Sequence, residues 1–305
     1  ILNSFKREYG PDWKRLGEKV CIQINDTHPA LAIPEMMRIL MDEEGLGWED
    51  AWECVTSTFN YTNHTVLSEA LERWPEDLFK ELLPRIFMIV AYINERYCAK
   101  LWDYFPGQWE RIGHMAIVGY NEVRMANLCI AASSHINGVS QLHAEILRQD
   151  VFRDAFVVAP WKFLGITNGV TPRRWLMLSN PGLSGLLDES IGKGWREDLT
   201  QLKKADAFAE DSSFQQKFAE VKRANKVRLA AWLQEHQGAV VDPDMVFDVQ
   251  IKRLHEYKRQ LMNILHVISL YDTLLENPEY EMQPTCFFFG AKASAGYHIA
   301  KQIIK

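Results

Sequence analysis

No Cys-x-x-Cys pair occurs among the five cysteines at positions 21, 54, 98, 129 and 286, and no His-Glu-x-x-His run, Gly-x-Ser-x-Gly elbow or Gly-x-x-x-x-Gly-Lys-Ser/Thr loop is present. These absences argue against a zinc knuckle, a helix-borne zinc hydrolase, an acyl-transferring serine elbow and a P-loop hydrolase. Cysteines so far apart and odd in number make no disulfide framework, which points to a reducing cytoplasm. No apolar run reaches about 18 residues, and the opening ILNSFKREYGPDW lacks the apolar core of a signal peptide. A membrane is therefore not an expected partner. Net positive charge is also missing, since 34 Lys and Arg face 40 Asp and Glu to leave -6. Nucleic acid binding needs a net basic surface to displace counterions, so any basic cluster here must serve a local anion.

What is present is a globular composition, 305 residues with 47% hydrophobic and 24% charged residues, enough for a sizeable core and for two domains. The chain opens on a polar segment without methionine. It stops inside an amphipathic run, Tyr297, Ile299, Ala300, Ile303 and Ile304, with no C-cap signal. Both ends read as those of an interior piece of a longer protein.

Along the chain, VCIQIN reads as a strand followed by the polar turn Asp26-Thr27-His28-Pro29, with Thr27 or His28 as N-cap of the helix ALAIPEMMRILMDEEG. A helix over 47–55, the β-prone TSTFNYT and the knuckle Asn63-His64-Thr65 follow. Ser68 and Glu69 are placed to start a helical pattern that runs from SEALERW through LFKELLPRIFMIVAYINERYCAKLWDYF. Residues 121–150 carry helix periodicity broken at Asn137-Gly138, so most of the first half reads as helical. From 160 the texture turns to Gly, Pro, Thr and Asn, a domain junction placed at 166. Polar helices over 184–237, a strand over 245–251, a helix with apolar positions 261, 264, 265, 268, 271 and 275 on one side, the strand TCFFFGAKA and a last helix complete the reading. Strand, helix, strand, helix implies parallel strands and the start of a Rossmann-like unit.

In open α/β sheets, ligands bind beyond the C-terminal strand ends, where helix N-termini favour anions. VFDVQIKRLHEYKRQ puts Lys252, Arg253, His255, Lys258 and Arg259 at such a place. Two readings stand, a solvated helix face and an anion site. Five residues along one helix would rotate Arg253 and Lys258 apart by roughly 140°, so they converge only if Arg253 lies in the loop and Lys258 in the first helical turns. Arg offers a planar fork and Lys a point charge, a pair suited to phosphate. Asp26 and His28 read as turn and capping groups or as sugar and water contacts, and a metal would need further ligands. His64 reads as a structural hydrogen-bonder or a site group. Gly169 permits positive φ or close approach, and Asn168 offers an amide to a sugar hydroxyl or to a tight interdomain turn.

Taken together, QINDTHPALAIPEMMRIL, YTNHTVLSEALERWP, ITNGVTPRRWL, FDVQIKRLHEYKRQLMNILHVISLY and GAKASAGYHIAK resemble the α-glucan phosphorylase family, the glycogen, starch and maltodextrin phosphorylases. The match runs over nearly the whole chain in the family's order. The resemblance implies a GT-B architecture, an α/β fold of two Rossmann-like domains with the active site in the cleft between them. It implies a helix-rich chain that carries the end of the first, glucan-side domain over 1–166 and the beginning of the second, phosphate-binding domain over 167–305. It also implies phosphorolysis of terminal α-1,4-linked glucose to glucose 1-phosphate with retention, with α-1,4-glucan and inorganic phosphate as substrates, pyridoxal 5'-phosphate as cofactor, a homodimer as full-length protein and a cytoplasmic setting.

Residue by residue, Arg253 and Lys258 match the family's ligands of the substrate and cofactor phosphates, and Lys252 a contact to the cofactor phosphate. Trp175 matches a position beside the cofactor. His64 and Asn168 match the pair that hydrogen-bonds the glucose 6-hydroxyl, Tyr257 a contact to the 2-hydroxyl, and Asp26, His28 and Glu72 polar residues beside the sugar. One departure counts: the family's cofactor lysine lies in a T-G-N-M-K-like segment that these 305 residues do not contain. The isolated chain is therefore expected to be inactive. A nucleotide-sugar glycosyltransferase of the same architecture and a non-catalytic glucan-binding module are the competing readings.

Overall fold

Short strands with alternating burial carry the architecture of the first half. The computed structural model describes residues 1–67 and 71–305, so Ser68 and Glu69, expected to open a helix, lie outside the described residues. Strands β1 (Ile22–Asn25) and β2 (Phe59–Thr62) come first, followed by β3 (Arg73–Pro75), β4 (Val118–Gly119), β5 (Glu122–Arg124), β6 (Ile136–Gly138) and β7 (Phe163–Gly165). β1, β2, β6 and β7 pair in that order, all in parallel, with Tyr61 opposite Ile136 and Gly138 opposite Gly165. β3, β5 and β4 form a separate antiparallel sheet in that order.

The parallel sheet buries Ile24, Phe59, Tyr61, Ile136 and Phe163. Helices cover it because their apolar residues recur at helical spacing: Ile33, Met36, Met37 from the helix Ala32–Arg38, and Ile86, Ile89, Val90, Ile93 from Pro84–Tyr104. Leu128, Cys129 and Ala132 of the helix Met125–Ala132 join the same core. Each large side chain so buried stabilises by about 1.5–3 kcal/mol. Among the described residues no helix is long and apolar enough to cross a membrane.

Several sequence expectations change here. Neither Thr27 nor His28 caps the following helix, whose N-cap is Leu31. The chain turns first through Thr27–Ala30, with Ala30 N–H donating to Thr27 O at 2.9 Å, and the Thr27 hydroxyl goes elsewhere. Residues 73–75 are strand rather than helix because they pair with Arg124, Val123 and Glu122. The break at Asn137-Gly138 is not a helix interruption but β6, a central strand of the sheet, and the junction texture hides β7.

The chain divides into two compact units, Ile1–Gly169 and Val170–Lys305. In the second, Asn180 caps the helix Pro181–Ile191 by accepting from Leu183 N–H at 3.2 Å. Asp211 caps Ser212–Gln237, which ends on Gly238 at φ 67, a left-handed conformation suited to glycine. β8 (Val246–Ile251) pairs in parallel with β9 (Thr285–Gly290), and the helix Gln260–Glu276 connects them. The apolar stripe on that helix is largely open: Leu261, Leu265, Ile268, Tyr271 and Leu275 are exposed. The two-stranded sheet does not supply enough surface to cover it, although parallel sheets are ordinarily buried on both faces.

Gly138 is a glycine of the first unit whose lack of a side chain lets two backbones meet. A Cβ there would lie 2.8 Å from Ala144 N and 3.0 Å from its Cα, so strand end and helix Gln141–Ile146 touch backbone to backbone. Gly169, expected to use positive φ or close approach, does neither: a Cβ meets nothing within 4 Å and its φ is ordinary. Gly138→Ala is therefore expected to destabilise by about 1–3 kcal/mol, whereas Gly169→Ala stays within about 0.5 kcal/mol. Urea midpoints for the two variants, measured side by side, check this contrast, and equal effects would count against it.

Candidate functional site

In the first unit the C-terminal strand ends gather polar groups. Asp26 leaves β1 at φ 63, a left-handed conformation that Asp tolerates, and its carboxylate accepts Thr27 N–H at 2.7 Å. Its own N–H donates to Thr62 O at 2.9 Å, tying the turn to β2. Thr27, buried, donates through its hydroxyl to Glu72 at 2.8 Å, and Trp74 Nε1 donates to the other carboxylate oxygen at 3.1 Å. Asp26, the exposed His28 and Glu72 are thus brought to one place by a single turn. Exposed His64 follows β2, its Nε2 paired with Asn25 Oδ1 at 2.5 Å. Behind them a polar row crosses three strands: Gln23 Nε2 donates to Thr62 Oγ1 at 2.8 Å, and Thr62 Oγ1 donates to Asn137 Oδ1 at 2.8 Å.

A buried pair underlies this edge. Asn63 is fully buried, and its Oδ1 accepts both Thr65 N–H at 3.0 Å and His143 Nε2 at 3.1 Å, while its Nδ2 donates to Tyr61 Oη at 3.1 Å. His143 Nδ1 accepts Val139 N–H at 3.1 Å, and Val139 O accepts Asn168 N–H at 3.1 Å. A backbone N–H can only donate, so Nδ1 is bare and Nε2 carries the proton, which fixes a neutral imidazole. Burial pushes the His143 pKa down, a backbone contact at Thr65 opposes it, and the neighbouring His64 adds to the lowering.

In the second unit Lys252, Arg253, Tyr257 and Lys258 stand on one connection after β8. Arg253 lies in the loop and Lys258 on the single 3₁₀ turn Glu256–Lys258, one step before the helix Gln260–Glu276 rather than inside its first turns. Arg259 takes φ 62 between them and is exposed. The loop is braced from below. Gln260, 3% exposed, donates through Nε2 to Arg253 O at 3.1 Å, Gln250 Nε2 donates to Lys258 O at 3.3 Å, and Lys252 N–H donates to Gly290 O at 2.9 Å. Tyr297 Oη accepts Glu256 N–H at 3.1 Å and donates to its carboxylate at 2.9 Å. Tyr257 is exposed, with the Lys258 ammonium 5.7 Å from its ring centre. Trp175 stands on another element, the π-helical turn Arg173–Leu178 packed on Pro181–Ile191, 65% exposed with Arg174 5.6 Å from its ring.

The ion pairs described in this unit join Arg196 to Asp188, Lys217 to Glu189, Arg223 to Asp244 and His236 to Glu235. None involves Lys252, Arg253 or Lys258. Three cations that make no ion pair among the described residues, on a braced loop whose Glu256 carboxylate is taken by Tyr297, offer donors suited to an anion with several oxygens such as a phosphate group. Beneath them the buried His255 Nδ1 has no hydrogen-bond partner among the described residues. The residues present therefore fit the phosphate of a phosphorylated cofactor or substrate.

The chain is thus a helix-rich α/β protein with parallel strands, with polar groups at the strand ends of its first unit and a basic loop after β8 in its second. The carbohydrate phosphorylase family model matches residues 1–305. The glycogen phosphorylase of Bacillus subtilis (strain 168) is 47% identical over 305 residues, 100% of this chain and 38% of its own length. The muscle form of Bos taurus is 48% identical over 291 residues, 94% of this chain and 35% of its own length, and that of Homo sapiens is 47% identical over the same share. The chain belongs to the carbohydrate phosphorylase family and spans 38% of the length of the Bacillus relative.

Sequence reasoning missed Gln260 and His143. Gln260 directly follows the charged pair Lys258-Arg259, and the signal was its place as the first helical residue after the loop. His143 follows the break at Asn137-Gly138, which was read as an interruption of helix and not as the strand end that it is. Neutral His143 gives a pH dependence with a definite sign. Its folded pKa lies below its unfolded one, near 6.5, so its contribution is complete above about pH 6.5 and is lost as pH falls through that value toward the folded one. The gap in urea midpoint between the parent chain and His143→Gln should be widest at pH 7.5 and narrow toward pH 5. A gap independent of pH would contradict the neutral, acceptor-making imidazole.

Proposed function

We propose that the protein to which this chain belongs is an α-glucan phosphorylase that cleaves the terminal α-1,4 link of a glucan with inorganic phosphate, releasing glucose 1-phosphate with retention. The observation that carries the reading is the braced loop at the C-terminal end of β8, on which Lys252, Arg253 and Lys258 make no ion pair among the described residues. Family membership and the names of the relatives support it. In the same proposal the architecture is GT-B, the first unit being the end of a glucan-side domain and the second the start of a phosphate-binding one. The open apolar faces around β8 and β9 suit a sheet that further strands and helices extend. A homodimer in the cytoplasm belongs to the same reading.

Pyridoxal 5'-phosphate, when bound, supplies a phosphate group that exchanges a proton with the substrate phosphate. This chain's part is electrostatic. Two phosphates side by side repel strongly where water is scarce, and fixed cations remove that cost without reorganising at the moment of reaction. Arg253 and Lys258 would hold substrate and cofactor phosphate, Lys252 the cofactor phosphate, and Trp175 would pack beside the cofactor. His64 and Asn168 would bind the glucose 6-hydroxyl and Tyr257 the 2-hydroxyl, with Asp26, His28 and Glu72 alongside.

In the full-length protein Arg253→Ala or Lys258→Ala should lower kcat/KM for phosphate by about 100-fold or more, while Arg259→Ala changes it by less than about threefold. Glucose 1-phosphate release with and without orthophosphate measures this. Residues 1–305 produced alone should show no turnover. Full activity in Arg253→Ala would sink the proposal, glucan binding indifferent to both substitutions would favour a binding module, and turnover that needs a nucleotide sugar would favour the transferase.

A further inference from the structure

The fully buried Asn63 and the buried His143 touch no surface where a sugar could sit, yet their hydrogen bonds run to both segments that carry the groups proposed for the 6-hydroxyl. On one side Asn63 Oδ1 accepts Thr65 N–H at 3.0 Å, so the Asn63 side chain spans the backbone on either side of His64. Asn63 N–H donates to Asn137 O at 3.0 Å, which ties the same residue to β6. On the other side Val139 offers its N–H to His143 Nδ1 at 3.1 Å and its O to Asn168 N–H at 3.1 Å. The bond between Asn63 and His143 at 3.1 Å closes the path.

Three features make the imidazole hard to replace. Ser140 caps its helix by accepting His143 N–H at 3.0 Å, which fixes where the side chain starts. Gly138 lets the helix approach the strand end closely enough for Nδ1 to reach Val139. Both ring nitrogens are used, one as acceptor and one as donor, so a side chain with only one function would leave a buried N–H or carbonyl group without a partner.

We infer that His143 is a positioning residue that holds His64 and Asn168 in register with each other, and that it thereby sets the preference for a hydroxyl at the 6-position of the sugar. The inference rests on the phosphorylase reading and on the assignment of those two residues to that hydroxyl. His143 does not touch the sugar. It acts through Asn63 on the loop at His64 and through Val139 on the loop at Asn168.

The test uses the full-length holoenzyme and compares α-D-glucose 1-phosphate with 6-deoxy-α-D-glucose 1-phosphate as glucosyl donors to a maltodextrin. His143→Ala should reduce the preference for the hydroxylated donor by about tenfold or more, as small misplacements of positioning groups do, while kcat/KM for the 6-deoxy donor changes by less than about threefold. His143→Gln, whose amide can accept from Val139 and donate to Asn63, should recover most of the preference. If His143→Ala does not fold, Asn63→Ser breaks the same path at its other end and should give the same loss. Both donors falling in step, or a preference unchanged in a folded variant, overturns the inference. A parent enzyme that turns over glucose 1-phosphate without preferring it to the 6-deoxy donor overturns instead the assignment of His64 and Asn168, and one with no such turnover overturns the phosphorylase reading.

Discussion

Asn63 and His143 meet inside the first unit, where burial shields both from solvent and buried polar atoms must find partners within the protein. Because parallel strands end at the same edge, the groups that leave β1, β2, β6 and β7 there are carried on separate loops with little reason to stay aligned. The Asn63–His143 bond and the contacts around it supply that reason. Tyr61 Oη accepts from Asn63, burial pushes the Tyr61 phenol far above its ordinary pKa, and the phenol stays a neutral partner. The polar row from Gln23 through Thr62 to Asn137 then continues the alignment outward across the sheet.

The second unit solves a different problem with similar means. Lys252, Arg253 and Lys258 repel one another, and a free loop would spread them. Gln260, Gln250 and Tyr297 hold the connection by its backbone, so the side chains keep their charge for something outside the loop. Neutral amides do this work better than carboxylates would. An acidic brace would pair with the cations and cancel the field that an anion is meant to meet.

Legibility in the sequence followed element length. β8 was readable because six residues of VFDVQI give an apolar run bounded by charge, and β9 because three phenylalanines stand together. β6 and β7 were not, since three residues cannot display a period, and β6 abuts helical sequence while β7 lies in a stretch with the texture of a junction. The motif residues came out of the resemblance, and the structure adds what holds them: Thr27 under Glu72, Asn25 against His64, and Gln260 under Arg253. Those supports are single polar residues in strongly patterned segments, and patterning treats them as noise. Helix Gln260–Glu276 shows the reverse case, where a clear apolar stripe was read correctly as a stripe but faces open space.

The separation of Asn63 from His143 along the chain, 80 residues, gives that bond a place in time as well as in space. Closing so long a loop for one hydrogen bond is entropically unfavourable, so strand pairing and core burial must come first. The alignment of the loops at His64 and Asn168 is then one of the last things folding achieves and one of the first that local opening undoes. A contact made that late belongs to the unfolding barrier more than to the folding one, and it ties the lifetime of the aligned edge to the lifetime of the closed sheet.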